Sequence, residues 1–259
     1  MNINFKKIDE LLKNQPKIAV AFSGGVDSTV LLHYIISIKG AENVIALTAH
    51  TVLLTTEEIA QTAEIAKEFG VEHILLPVDV LKIEQLRNNH KDRCYHCKKF
   101  IFNTIIDNIN KEYYIVEGTN FDDLDAYRPG YSALQELEII SPFAICKITK
   151  KEIREYAEIN NLSVAQKPST PCFATRFEYN SHISEKEIIR AQKGEELLKK
   201  YGQSRLRIHG KIARIEIDQQ YFSQIIHDFE LIKSLRDLGY LYVTLDLEGF
   251  LSGSMDKNI

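Results

Sequence analysis

The chain has 259 residues, of which 44% are hydrophobic and 26% are charged, and its formal net charge is −4. These values suit a globular protein of one large domain, or of one medium domain with a smaller companion, and the acidic balance argues against binding nucleic acid through a basic face. No apolar run approaches the roughly 20 residues of a membrane span and no signal-peptide pattern begins the chain, so we expect a cytoplasmic protein without a membrane partner.

After a short helix over residues 3–13, the first predicted elements are a strand, a glycine turn and a helix. Ile18–Phe22 form an apolar run, which predicts a strand buried on both faces. The chain then turns through Ser23-Gly24-Gly25 and begins a helix at Asp27-Ser28. Glycines let the backbone approach a ligand, and a helix start attracts an anion. The Lys of the P-loop is absent; Ser-Gly-Gly-Val-Asp-Ser is the pattern of the PP-loop ATP pyrophosphatases, which predicts an ATP site.

Strands and helices then alternate, which predicts an α/β fold, a Rossmann-like parallel sheet with right-handed crossovers. The predicted segments are strands at residues 44–48, 73–77 and 113–117 and helices at residues 56–69, 79–87, 98–109 and 150–159. Thr48 ends its strand at the carboxyl edge, where such sheets bind nucleotides. Gly70 is expected just past the end of its helix, and Thr149 with Glu152 predicts a capping box.

Cys94 and Cys97 follow a polar segment and have the Cys-x-x-Cys spacing that serves zinc, iron–sulfur clusters and redox dithiols. In a cytoplasmic chain, metal or redox chemistry is expected of such residues rather than a structural disulfide. A thioredoxin-type dithiol would directly follow a strand, whereas this pair is expected in a polar loop leading into a helix. Zinc would take further ligands from His96, Cys172 or His90, and a three-cysteine cluster would use Cys94, Cys97 and Cys172.

Two loops are expected near the carboxyl edge of the sheet. Glu117–Gly130 contains four acidic residues and one Arg, and loops of this kind contribute to functional sites more often than to core packing. Ala165–Arg176 contains two prolines and is expected to end the nucleotide domain. The domains are therefore predicted as residues 1–175, the PP-loop domain, and residues 176–259, a small α/β domain for substrate binding and oligomer assembly. Cys146 lies in an apolar run and is expected in the core.

The C-terminal domain is predicted to contain a capped helix, a hairpin, a long helix and a last strand. Ser184 with Glu187 predicts the capping box, and His209-Gly210 predicts a tight turn between two strands. Alternation places one apolar face on the core side, formed by Leu206, Ile208, Ala213, Ile215 and Ile217. Arg205, Arg207 and Arg214 share the opposite face. That face is either solvated or a clamp for phosphate or carboxylate groups. A helix over residues 219–238 and a strand over residues 240–247 complete the domain.

Several motifs together resemble one family, the LarE-type ATP-dependent sulfur transferases, over residues from about 15 to 256. They are Ser23–Ser28, Gly118-Thr-Asn-x-Asp-Asp with Tyr127-Arg-Pro-Gly130, Lys167-Pro-Ser-x-x-Cys-x-Ala-Thr-Arg176, His209-Gly with Ala213-Arg-Ile-Glu216, and Val243-Thr-Leu-Asp-Leu-Glu-Gly249. The family helps to make the nickel-pincer nucleotide cofactor. The resemblance implies that ATP adenylates a substrate carboxylate, releasing pyrophosphate, and that sulfur then enters the activated carbonyl. The implied substrate resembles nicotinic acid mononucleotide with an additional carboxylate.

The resemblance also implies roles for individual residues. ATP would be bound by Ala21, Ser23, Gly24, Gly25, Asp27, Ser28, Thr48 and Gly118, and Asp27 would help to place Mg²⁺. The substrate would be bound by Arg128, Arg176, Arg205, Arg207 and Arg214. Cys172 matches the single cysteine from which sacrificial members donate sulfur, leaving dehydroalanine. Those members lack the Cys-x-x-Cys, so this chain resembles the variants in which three cysteines, here Cys94, Cys97 and Cys172, hold a [4Fe-4S] cluster.

Three rival functions fit parts of the sequence. A tRNA thiolase would combine a PP-loop with a three-cysteine cluster, but the acidic charge argues against it. An ammonia-using ligase such as NAD synthetase has a similar loop and needs no cysteine cluster. A non-enzymatic zinc-binding module would not release pyrophosphate. The expected partners are a small nucleotide carboxylate, sulfide or another sulfur donor, and further copies of this chain in a homo-oligomer, with no nucleic acid.

Overall fold

The computed structural model describes residues 3–124, 129–168 and 170–251. Packing divides them into two units: the first comprises the described residues of Met1–Ile83 and Asp92–Thr170, and the second those of Glu84–Lys91 and Pro171–Ile259. A packing unit need not be an independently folding domain, so the boundary after residue 175 stays a prediction. Within the described ranges, every helix is too short or too polar to cross a membrane.

The first unit contains a four-stranded parallel sheet in the order β3-β2-β1-β4. The strands are β1 Lys17–Ala21, β2 Val44–His50, β3 Glu72–Pro77 and β4 Tyr113–Val116. Val20 lies beside Ala46 on one side and Val116 on the other, all in parallel register. The predicted α/β fold with a parallel sheet is therefore confirmed.

The described α-helices of both units follow here in chain order. They are α1 Ile3–Leu12, α2 Val26–Lys39, α3 Thr56–Glu68, α4 Glu84–Arg87, α5 Arg93–Asn108, α6 Pro129–Glu136, α7 Pro142–Ile145, α8 Lys150–Ile159, α9 Glu185–Leu198, α10 Phe222–Ile225 and α11 Phe229–Asp237. In the first unit, Ile18 and Val20 pack into a core shared with α1, α2 and α8. Ala19 points to the opposite face, which α5 and α6 cover. Burial on both faces explains why β1 is a continuous apolar run.

Two helices expected from the sequence are interrupted. Asp79 accepts a hydrogen bond from the Leu81 N–H and starts a 3₁₀ turn, and Ile83 then adopts an extended conformation, so the expected helix over residues 79–87 is divided into that turn and α4. Asp228 accepts from the Leu231 N–H and begins α11, which separates it from α10. An Asp side chain that bonds a nearby backbone N–H competes with helix continuation, and hydrophobic spacing alone does not reveal this competition.

Helix α5 begins at Arg93, five residues before the expected start at 98. Cys94 and Cys97 therefore lie within the first five residues of the helix and not in a loop, which corrects the expectation from the sequence. The helix begins with Arg93, which is buried but charged, and buried apolar side chains appear only further along, at Phe102 and Ile105, so helical spacing of apolar residues is not visible at its start.

The second unit contains a three-stranded sheet in the order β5-β6-β7, formed by β5 Ser204–His209, β6 Ile212–Ile217 and β7 Tyr242–Leu245. β5 and β6 are antiparallel, and β7 is parallel to β6. His209 pairs with Ile212, so the turn consists of Gly210 and Lys211 instead of His209 and Gly210. Gly210 has a φ of 60°, the left-handed conformation that such a turn requires. Leu206 pairs with Ile215 and Ile208 with Ala213, so these apolar residues share one face of the sheet, as predicted.

Candidate functional site

The PP-loop connects the end of β1 to the start of α2. Gly24 has a φ of 70°, and a Cβ there would lie 2.9 Å from the Thr62 Cγ2 atom. Gly25 is the N-cap residue of α2 and has no side chain that would occupy the N–H groups of the first turn. Ser28 closes the loop: its hydroxyl accepts from the Ser23 N–H at 3.2 Å and donates to the Gly25 carbonyl at 3.2 Å. The open helix start is thus held in a fixed shape that suits an anionic ligand.

Gly118 lies against the same helix start. A Cβ on Gly118 would lie 3.0 Å from the Ser28 nitrogen and 3.2 Å from the Asp27 carbonyl carbon, so a larger residue would displace the PP-loop. The preceding residue, Glu117, is buried and accepts hydrogen bonds from the Thr119 N–H at 2.9 Å, the Thr119 hydroxyl at 2.8 Å and the Ser141 hydroxyl. Glu117 therefore supports the loop that leaves β4. The sequence did not distinguish this structural role from the roles of the other acidic residues in the same stretch.

Asp27 is held from two sides. Lys150, the first residue of α8, donates to its Oδ2 atom at 2.5 Å, and the Asn120 amide donates to Oδ1 at 3.4 Å. The Asp123 N–H donates to Asn120 Oδ1 at 3.1 Å and so fixes which end of the amide faces Asp27. The carboxylate oxygens of Asp27 are of the type that Mg²⁺ prefers as ligands. Lys150 was not identified as a site residue from the sequence. The capping box of Thr149 and Glu152, which is confirmed, is the signal that places Lys150 at a helix start.

The two remaining predicted ATP residues lie on the neighbouring strands β1 and β2, near their carboxyl ends. Ala21 is the last residue of β1. Thr48 is buried, and its hydroxyl donates to the Phe22 carbonyl at 2.7 Å and lies 2.9 Å from the His73 Nε2 atom. Thr48 thus holds the chain where it leaves β1 and enters the PP-loop.

The four cysteines have different surroundings, and all are reduced. Cys94 is exposed and Cys97 partly exposed, one helical turn apart on α5. Cys146 is only 5% exposed within the core of the first unit, as expected, and burial raises the pKa of its thiol. Cys172 is exposed in the second unit. Over the described ranges, no three His, Cys, Asp or Glu side chains are grouped closely enough to hold a metal ion, so the three-cysteine site stays a prediction.

Arg176 fixes the loop that contains Cys172. Its side chain is 1% exposed and pairs with Glu195 through two hydrogen bonds, from Nε at 2.7 Å and from Nη2 at 3.0 Å. Nη1 donates to the Pro171 carbonyl at 3.0 Å, and the guanidinium lies 4.6 Å from the centre of the Phe173 ring. These contacts make Arg176 a positioning residue for the loop, whereas the sequence assigned it to direct substrate binding. Arg128, also assigned to the substrate, lies outside the described residues.

The face that contains the other three arginines is an ion-pair network. Arg207 lies opposite Arg214, and Arg205 lies opposite Glu216, so all three arginines share one face as predicted. Glu216 is fully buried; it accepts from Arg207 Nε at 3.0 Å and from Arg214 Nη2 at 3.1 Å. Burial lowers the pKa of both Arg205 and Arg207, and the charge of Arg176 acts in the same direction. Arg214 also pairs with Asp246 at 3.6 Å. Three arginines with these two carboxylate partners leave one positive charge in excess, which suits an anionic substrate.

Comparisons with known proteins extend over almost the whole chain. A family model described as the PP-loop domain matches residues 1–93. An uncharacterized protein of Synechocystis sp. is 34% identical, covering 92% of this chain and 91% of its own. Another, from Methanocaldococcus jannaschii, is also 34% identical, covering 95% and 94%. The pyridinium-3,5-bisthiocarboxylic acid mononucleotide synthase of Lactiplantibacillus plantarum is 30% identical, covering 96% of this chain and 92% of its own.

Proposed function

Since the chain belongs to the PP-loop family that includes pyridinium-3,5-bisthiocarboxylic acid mononucleotide synthase, we propose that this ATP-using enzyme transfers sulfur to a carboxylate of a pyridine mononucleotide. The observation that carries the proposal is the PP-loop itself. An open helix start, Gly24 in a left-handed conformation and an Asp27 carboxylate between Lys150 and Asn120 provide sites for the phosphates and for Mg²⁺.

The proposed reaction has two steps. A carboxylate oxygen of the substrate attacks the α-phosphorus of ATP, the bond from that phosphorus to the bridging oxygen breaks, and pyrophosphate leaves. A sulfur nucleophile then attacks the carbonyl carbon of the acyl-adenylate, and AMP leaves. A free carboxylate is a poor electrophile, so adenylation makes the second step feasible. The N–H groups of the PP-loop and Mg²⁺ at Asp27 would stabilise the charge that develops on pyrophosphate.

The proposed sulfur site consists of Cys172 together with Cys94 and Cys97. Thiolates are the usual ligands of iron–sulfur clusters, and two accessible thiols one turn apart fit the donor set of a [4Fe-4S] cluster. Such a cluster would keep one iron that no cysteine binds, which allows sulfide to be supplied repeatedly. The alternative is that Cys172 itself gives up its sulfur. The identity of the sulfur donor and the homo-oligomer stay predictions.

Product analysis tests the proposed function. Incubation of the wild-type enzyme with ATP, Mg²⁺, sulfide and pyridinium-3,5-biscarboxylic acid mononucleotide should yield AMP and pyrophosphate in equal amounts, because cleavage occurs between the α and β phosphates and AMP leaves when sulfur attacks the acyl-adenylate. Nicotinamide mononucleotide, which has no carboxylate, should not support the reaction. Formation of ADP and orthophosphate would contradict the PP-loop assignment. Salt-sensitive binding of tRNA, with turnover only in its presence, would instead support the tRNA thiolase.

The arginine face provides a test of substrate binding. Replacing Arg205 by Gln should raise the KM for the mononucleotide about tenfold and leave the KM for ATP nearly unchanged, because one charge-assisted hydrogen bond is lost. Arg205 is suitable because it lies outside the buried pair: it donates to the Ser204 carbonyl and stacks on Phe250. Arg236→Gln, an exposed position on α11, is the matched control. Equal changes in both KM values would show that the face does not bind the substrate.

Arg207 is the wrong variant for that test. It is the closest partner of the fully buried Glu216, and its Nη1 atom also donates to the Thr175 carbonyl at 2.7 Å. Removing one partner of a buried ion pair costs about 3–5 kcal/mol, because a charge remains buried without compensation. A loss of activity in Arg207→Ala would therefore reflect unfolding as readily as weaker substrate binding.

A further inference from the structure

Lys167 brings a positive charge to the PP-loop from a distant part of the chain. Its ammonium donates to the Gly24 carbonyl at 3.0 Å, across a separation of 143 residues, and to Gln61 Oε1 of α3 at 2.5 Å. Arg154 of α8 holds the segment that contains Lys167: its Nη1 atom donates to the Ala165 carbonyl at 2.6 Å and Nη2 to the Lys167 carbonyl at 3.0 Å. The ammonium is therefore fixed beside the loop, and its backbone is anchored independently of the loop.

Among the described residues, no carboxylate accepts a hydrogen bond from this ammonium. Both of its acceptors are neutral, one a backbone carbonyl and the other a side-chain amide. The side chain is half-buried, and burial lowers the pKa of the ammonium, while the charges of Glu58 and Glu57 act in the opposite direction. Lysines in such positions normally pair with a carboxylate, because burying an unpaired charge is costly. A Lys ammonium also has three donors, of which two are used here.

Lys150 shows the contrast on the other side of the same loop. Its ammonium pairs with the Asp27 carboxylate, so its charge is already balanced. Lys98, on α5, is likewise paired, with Glu117 at 3.3 Å. Of these three lysines around the loop, only Lys167 is not directly paired with a carboxylate, so its ammonium is the one available to an anion that the loop binds.

We propose that Lys167 is a phosphate-binding residue of the PP-loop and that its ammonium donates to the pyrophosphate part of ATP. The inference rests on the proposed cleavage of ATP between its α and β phosphates. As that bond breaks, negative charge accumulates on the leaving pyrophosphate, and the ammonium stabilises it. Lys167 thus supplies from outside the loop the charge that the P-loop of other nucleotide-binding proteins carries within its own sequence.

Binding measurements on the full-length protein test this role without requiring turnover. Lys167→Gln keeps an amide donor for the Gly24 carbonyl but removes the charge. Calorimetry should show that this variant binds inorganic pyrophosphate and the α,β-methylene analogue of ATP about 10- to 100-fold more weakly than wild type. Its affinity for adenosine and its melting temperature should stay close to those of wild type. Lys167→Arg, which keeps the charge, should restore most of the affinity.

Lys151→Gln is the control, because Lys151 belongs to the same unit but its side chain is 85% exposed. Unchanged pyrophosphate affinity in Lys167→Gln would overturn the proposal, as would equal losses of pyrophosphate and adenosine affinity. If Lys167→Gln does not fold, Lys167→Met gives the same comparison. A failure of the proposed function is distinguishable from a failure of this inference. Wild-type protein that binds pyrophosphate but never releases it from ATP would contradict the enzyme activity and leave the binding role of Lys167 supported.

Discussion

Replacing Asp27 by Asn should lower the rate of pyrophosphate release about a thousand-fold while the fold remains intact. The substitution keeps the size of the side chain and one acceptor for Lys150, but it removes the charge that would bind Mg²⁺. The rate is measured by coupled detection of pyrophosphate at saturating ATP, Mg²⁺ and mononucleotide. Added Mg²⁺ should not rescue the variant, because the ligand itself has changed.

The stability of this variant should change little. Lys150 and Asp27 keep 27% and 25% of their side-chain surface exposed, and partly exposed pairs contribute no more than about 1 kcal/mol. Thermal unfolding followed by circular dichroism separates a loss of chemistry from a loss of structure. Asp107→Asn, at an exposed position on α5, is the matched control and should behave as wild type. A variant at Asp27 that keeps more than a third of the wild-type rate would remove Asp27 from the catalytic machinery.

The PP-loop could be predicted from the sequence because its determinants are local. A buried strand, two glycines and a helix start follow one another within a few residues, and the structure places them as expected. The lysines on either side of the loop could not be predicted in this way. Lys150 and Lys167 reach the loop only after the parallel sheet has brought α8 and the following segment beside α2 and α3. A capping box places Lys150 at a helix start and a family motif begins at Lys167, but neither pattern shows that the side chain reaches the loop, because that depends on tertiary packing.

The arginine face shows a different limit of sequence reasoning. Strand alternation correctly grouped Arg205, Arg207 and Arg214, but it treated the face as either solvated or substrate-binding. The same alternation places Glu216 among them, and burial turns that carboxylate into a structural partner. Periodicity reveals which residues share a face. It does not reveal whether that face is covered, which determines whether an arginine is available to a ligand.

The start of α5 was missed for a related reason. Helical periodicity is visible only where one side of the helix is apolar, and the first turn of α5 is polar on every side. The earlier start of α5 matters for the chemistry, because a helix fixes the thiols of Cys94 and Cys97 one turn apart. Residues three positions apart on a helix lie on the same face, so both thiols are able to bind one metal centre.

The cysteines give the prediction with the largest expected effect on sulfur transfer. In anaerobically purified protein, Cys94→Ser, Cys97→Ser and Cys172→Ser should each abolish thiocarboxylate formation and remove the broad absorption near roughly 400 nm that thiolate-bound iron–sulfur centres show. Each variant should still release pyrophosphate and form the acyl-adenylate, because the PP-loop residues are untouched. Cys146→Ser is the control and should keep both pyrophosphate release and thiocarboxylate formation, since Cys146 is buried in the core of the first unit.

Sacrificial transfer from Cys172 predicts a different pattern. Cys94→Ser and Cys97→Ser would then remain active, and wild-type protein would lose about 34 Da, one H₂S, after a single turnover as Cys172 becomes dehydroalanine. Mass spectrometry of the intact protein, combined with iron analysis and a count of turnovers in the presence of sulfide, distinguishes the two. Several turnovers per chain with no mass loss would support the cluster, because one cysteine cannot supply more than one sulfur atom. Dehydroalanine at position 172 in protein without iron would contradict it and make the two thiols of α5 irrelevant to the transfer.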